Sequence, residues 1–269
     1  LWCGKCAIDD PEKLLEVHEN YINSGVDIIT TNTYATTPIS MKEYGYENFT
    51  NEWNKKSVEI AIEAANNSNR EIAVAGSVST SGSWDRLEID QLKPGFIEHL
   101  TILSDAGVDL IILEAMTSKN ATVETIIECS TKINLPIWLS ISCALNEKDK
   151  KLMHGYQENL ENCEAKFYDN FEKSISDFSK NHQGPILVAH SDIRITSDAI
   201  KKIKKNHKGV AGAYPNNGYF EKPMWKSIDN VSPSYYHDQA KSWILSGAQI
   251  IGGCCGVGPD LIKAISKLK

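Results

Sequence analysis

The chain has 269 residues, 41% hydrophobic and 23% charged, the composition of a soluble globular protein and not of a disordered or fibrous one. Its net charge of -7 argues against a nucleic-acid surface, which requires a clustered positive field. No apolar run reaches the roughly 18 to 20 residues that cross a bilayer, and Leu1-Trp2-Cys3-Gly4-Lys5 lacks the apolar core of a signal peptide.

Along the chain, Asp10 can cap a first helix with Pro11 at its first position; Leu14, Val17, Tyr21 and Ile22 share one face, and Gly25 is the stop. A β-branched run at 26–34 follows, then a helical period at 51–67. The alternation continues: strand 71–78, helix 96–106, strand 108–116, helix 123–132, strand 136–143, helix 168–180. It ends with strand 185–193, helix 197–205, strand 209–216, helix 235–246, strand 248–256 and helix 259–268. The strands are nearly continuous in apolar residues, as strands buried on both faces are.

Strict βα alternation means parallel strands joined by right-handed crossovers. Seven strands are found, and the chain opens on the loop and helix that would follow another. The expected fold is therefore an α/β (β/α)8 TIM barrel, a single domain over residues 1–269. Its first strand, within about twenty N-terminal residues, is expected to precede Leu1, and chemistry belongs at the C-terminal ends of the strands.

The last strand runs Gln249-Ile250-Ile251-Gly252-Gly253-Cys254-Cys255-Gly256. Neighbouring side chains on a strand point to opposite faces, so both thiols can reach one metal only where the strand turns, and the flanking glycines permit that turn. Two thiolates suit zinc; alternatively the pair packs as small hydrophobes.

The segments 25–34 (Gly-Val-Asp-Ile-Ile-Thr-Thr-Asn-Thr-Tyr), 109–114 (Asp-Leu-Ile-Ile-Leu-Glu), Tyr214-Pro215-Asn216-Asn217-Gly218 and Gly252-Gly253-Cys254-Cys255-Gly256 strongly resemble, in order, the homocysteine S-methyltransferase family. The double cysteine is the most specific element. The resemblance implies a zinc-dependent (β/α)8 methyltransferase that moves a methyl group from a sulfonium or betaine donor to homocysteine, giving methionine, with Cys254 and Cys255 as zinc ligands. It further implies that Glu114 holds the acceptor's amino group, with Asn32 and Asn216 beside it in the substrate-binding set. The bland reading of Glu114 is a cap or ion-pair partner, although a carboxylate straight after an apolar strand leans functional.

Two departures stand out. The family's third zinc ligand is a cysteine at the end of the sixth strand, and here Ile186-Leu187-Val188-Ala189-His190-Ser191-Asp192 puts His190 at that position. Imidazole is a competent ligand and Cys2His a known catalytic set, but the centre would be one unit less negative than a three-thiolate one. The loop Gly76-Ser77-Val78-Ser79-Thr80-Ser81-Gly82 keeps the family's small residues and lacks its glycine-proline, which leaves the donor open.

Other features weigh less. Cys3 and Cys6 have metal or redox spacing, but a lone CxxC is nonspecific. Cys143 is read as packed; Cys129 and Cys163 as structural. The default for His154, His182, His207 and His237, and for His18 and His99 on helices, is a solvated or capping role. The odd count of seven cysteines, without a framework spacing, reads as reduced thiols in a cytoplasmic protein whose partners are small molecules. A zinc hydrolase or lyase on the same barrel, or a catalytically degenerate metal-binding barrel, remains open beside the methyltransferase.

Overall fold

The computed structural model describes residues 1–80, 87–228 and 231–268; Ser81 and Gly82 of the third-strand loop lie outside them. The chain divides into two compact units, one of Leu1–Glu114 and Ala121–Trp138, the other of Ala115–Asn120 and Leu139–Lys269.

The first unit begins with α1 (Cys6–Asp9) and α2 (Pro11–Asn23). The Asp10 carboxylate accepts from Lys13 N at 3.1 Å, and Gly25, at φ +99, ends the helix as a residue without Cβ can. Its inner face is Leu14, His18 and Ile22, while Val17 is exposed. The expected stripe is thus rotated, because a four-residue step carries the buried line through His18. There follow β1 (Ile28–Thr30), α3 (Pro38–Glu43), α4 (Thr50–Asn66), β2 (Ala73–Val78), α5 (Ile89–Asp105), β3 (Leu110–Met116), α6 (Asn120–Ser130) and β4 (Ile137–Ile141). α5 starts seven residues before its expected 96, since a capping box between Glu88 and Gln91 nucleates it ahead of Pro94.

The second unit contains an antiparallel sheet that periodicity did not reveal: β5 (Cys143–Asn146), β6 (Lys151–Tyr156) and β7 (Lys166–Asn170). After it come α7 (Phe171–Phe178), β8 (Ile186–Asp192), α8 (Thr196–Asn206) and β9 (Ala211–Asn216). The hairpin β10 (Tyr219–Glu221) and β11 (Met224–Lys226) precedes α9 (Pro233–Leu245), β12 (Ile250–Ile251) and α10 (Pro259–Ile265).

All seven expected strands are present, in the order β1-β2-β3-β4-β8-β9-β12, and they pair in parallel, for example Ile28 opposite Ala73, Leu139 opposite Ile186 and Ile250 opposite Gly212. Ile186, Leu187, Val188 and Ala189 are buried in succession, as a strand covered on both faces must be.

The histidines correct the expectation of solvated rings. His154, His182 and His207 are buried because backbone carbonyls satisfy them: Met116 O at 3.1 Å, Pro185 O at 3.0 Å and Gly184 O at 2.9 Å. His18 and His99 are buried as well. Among the described residues no helix is long and apolar enough to cross a membrane.

Candidate metal centre

Three strand ends of the second unit meet. His190, near the end of β8, has φ +46, a left-handed conformation that non-glycine residues rarely keep away from functional sites. Beyond β12 the chain turns through Gly252 and Gly253 into Cys254 and Cys255. A Cβ on Gly253 would lie 2.1 Å from Val257 Cγ1, and one on Gly256, at φ +75, would lie 2.0 Å from the Asn217 carbonyl oxygen. Only glycine fits either place. Cys254 N donates to Pro215 O at 3.0 Å and Asn217 N to Cys255 O at 2.8 Å, so the end of β9 holds the turn.

The turn brings together thiols that a regular strand would send to opposite faces. Cys254 Sγ and Cys255 Sγ are 3.8 Å apart, His190 Nδ1 is 3.7 Å from Cys255 Sγ, and all three donor atoms lie within 4.8 Å of one another. A tetrahedral zinc with bonds of about 2.3 Å to sulfur and about 2.05 Å to nitrogen needs S···S edges of about 3.8 Å and S···N edges of about 3.6 Å. The 3.8 Å and 3.7 Å edges match, and two thiols with one imidazole are a donor set zinc prefers.

The far side of the ring faces a group that motif reasoning missed. His190 Nε2 lies 3.3 Å from Glu158 Oε1, just past β6, and Tyr156 stacks on the ring with centroids 5.5 Å apart. Burial works against charge on the ring, but the hydrogen bonds to Cys254 and Glu158 outweigh it and raise the His190 pKa to about 10. A hydrogen bond to Cys255, then burial, pushes the Cys254 thiol well up. Burial alone would raise the Glu158 carboxyl; hydrogen bonds from His190 and from Phe220 N prevail and lower it. Without a metal His190 and Cys254 therefore keep their protons, and a metal must displace them.

Asn216, at the end of β9 beside this turn, is buried, and among the described residues neither its Oδ1 nor its Nδ2 has a hydrogen-bond partner. Such an orphaned amide calls for an explanation, and a bound ligand is one.

The remaining expected residues belong to the first unit. Glu114, on β3, accepts from Ser77 Oγ; Ser77 O accepts from Thr33 Oγ1 at 2.7 Å, and Ser77 N donates to Thr31 Oγ1 at 3.2 Å. The next residue, Ala115, is left-handed at φ +47, one position before β3 ends at Met116. Asn32 is engaged by Cys3: its Nδ2 donates to Cys3 O at 2.9 Å and its Oδ1 accepts from Cys3 Sγ at 3.5 Å. Cys3 thus has a structural task, while Cys6 Sγ reaches Asp10 O at 3.6 Å. Cys129 and Cys143 are buried.

The sequence profile described as homocysteine S-methyltransferase matches residues 1–268. The chain belongs to the homocysteine S-methyltransferase family. It is accordingly an enzyme, a methyltransferase of that type. Among its relatives, homocysteine S-methyltransferase 3 of Zea mays is 29% identical over 99% of this chain and 83% of its own length. The selenocysteine methyltransferase of Astragalus bisulcatus is 27% identical over 100% and 86%. Among solved structures, the homocysteine methyltransferase MmuM from Escherichia coli in its metallated form superposes with a TM-score of 0.76 at 22% identity. That likeness covers 100% of this chain and 88% of the other and speaks to the fold.

Proposed function

We propose that this enzyme transfers a methyl group from a sulfonium or betaine-type donor to the thiol of homocysteine, giving methionine, at a zinc ion held by His190, Cys254 and Cys255. The observation that carries the reading is the donor triangle, whose 3.8 Å and 3.7 Å edges fit tetrahedral zinc. We read the chain as one (β/α)8 domain acting on small molecules in the cytoplasm. Zinc bound there would keep the acceptor thiol ionised at neutral pH, against a free thiol pKa of about 8.5.

The protein's own residues have the remaining tasks. His190, Cys254 and Cys255 would hold the zinc and would leave it able to take the acceptor sulfur as a further ligand. Glu114 would receive the acceptor's ammonium group, the stronger kind of hydrogen bond because both partners are charged. Asn216, with both amide atoms unpartnered among the described residues, offers a donor and an acceptor to the rest of the amino acid, and Asn32 completes the set. The donor enters positive and its leaving group departs neutral, so no side chain needs to deliver a proton; positioning is the main contribution of these residues.

The test is an assay of the chain with homocysteine and, separately, S-methylmethionine, S-adenosylmethionine and betaine, before and after chelation. Methionine formed with at least one donor, lost on chelation and restored by zinc, is the expected outcome. Zinc uptake without methionine from any donor would instead favour a hydrolase, a lyase or a degenerate barrel.

A further inference from the structure

A cysteine at position 190 would need only its sulfur. An imidazole needs more, because the bond made by one ring nitrogen decides whether the other is free to ligate, and the ring must also be held in plane. The residues around His190 meet both needs. Nδ1 faces the thiols and Nε2 faces Glu158 Oε1 at 3.3 Å. Glu158 is itself fixed: Phe220 N donates to its Oε2 at 2.6 Å, and Cys163 Sγ lies 3.9 Å from the same oxygen. The carboxylate is only 4% exposed, a position that costs free energy unless the charge is paired. Tyr156 lies against the ring at an interplanar angle of 24°.

We infer that Glu158 is a positioning residue for the metal centre, with Tyr156 supporting the ring plane. Its Oε1 accepts the Nε2–H and so fixes the tautomer whose Nδ1 lone pair points at the metal position. Its negative charge restores, one bond further out, the charge lost where imidazole stands in for thiolate. The inference rests on the zinc reading above. It applies to the His190 form of the site alone, because a thiolate at 190 has no N–H for Glu158 to accept.

The experiment measures zinc dissociation constants by competition with a chromophoric chelator for four proteins: the unmodified chain, Glu158→Gln, His190→Cys and the double variant. Metal-free thermal unfolding of each checks that it is folded. Glu158→Gln keeps an oxygen for the Phe220 N–H and removes the charge together with the second acceptor oxygen, the one that faces the Nε2–H. It is expected to weaken zinc binding by about 10- to 100-fold, the usual cost of losing such a partner. In the His190→Cys background the same change should leave affinity unchanged or tighten it, since a carboxylate beside a third thiolate repels. Equal weakening in both backgrounds, or none in the His190 protein, overturns the inference while the zinc reading stands. An unmodified chain that takes up no zinc overturns both.

Discussion

His190 Nδ1 stands 3.7 Å from Cys255 Sγ, although 65 positions separate the two residues. The contact depends on two local devices, the left-handed break at His190 and the glycine turn around the cysteines. It makes the end of β8 and the end of β12 one chemical unit.

Replacing Cys254 or Cys255 with alanine should abolish stoichiometric zinc uptake and leave the fold intact. Neither thiol belongs to the apolar core; both are half-buried at the turn, and truncating a residue there removes little packing. Metal analysis with thermal unfolding checks this: the variants should unfold close to the metal-free parent, and unchanged zinc content in either would remove that cysteine from the ligand set.

His190→Ala should weaken zinc binding by more than any other single change to the ring's surroundings, whereas His190→Cys should retain zinc. Sulfur can occupy the same corner of the tetrahedron; a methyl group cannot. Equal affinities for the alanine variant and the parent would mean that the ring is a bystander.

Glu114→Gln is expected to raise the KM for homocysteine by about one to two orders of magnitude, the cost of about 1.5 to 3 kcal/mol for a charge-assisted bond to an ammonium. Because an amide still accepts from Ser77 Oγ, the variant should fold. A KM that does not move would assign Glu114 to the Ser77 contact alone.

Acid should destabilise the protein before its carboxylates titrate. Burial lowers the pKa of His99 to about 3, and of His18 and His154 to about 4. Each ring takes up its proton near pH 6.5 when the chain is unfolded and only at those lower values when it is folded. The stability these three rings supply is therefore complete above about pH 6.5 and is lost as the pH falls toward 4, by about 2 kcal/mol per histidine between pH 7 and pH 5. Urea unfolding across that range measures it; a flat profile would mean that the rings charge without unfolding.

Why these parts were legible, and others not, follows from where each signal lies. The parallel strands were readable because burial on both faces writes an unbroken apolar run, as in Ile186 to Ala189. Cys254 and Cys255 were readable because glycine on both sides of a double cysteine has little other use. Glu158 was not. It follows a β6 strand of Lys151-Leu152-Met153-His154-Gly155-Tyr156, whose partners β5 and β7 carry mixed polarity and short, charged connections such as Glu147-Lys148-Asp149-Lys150, which resemble a loop. The alternation of Leu152 and His154 with the exposed Lys151 and half-buried Met153 was the available signal. The buried histidines were misread for a related reason: local sequence does not reveal that a carbonyl such as Gly184 O will satisfy the ring of His207.

The central claim is a zinc site of two thiolates and one imidazole, and zinc K-edge X-ray absorption of the loaded, acceptor-free protein tests it most directly. The spectrum should contain two sulfur ligands at about 2.3 Å and a nitrogen at about 2.0 to 2.1 Å with the outer-shell scattering of an imidazole ring. A shell of nitrogen and oxygen alone, or three sulfurs with no imidazole, would contradict it.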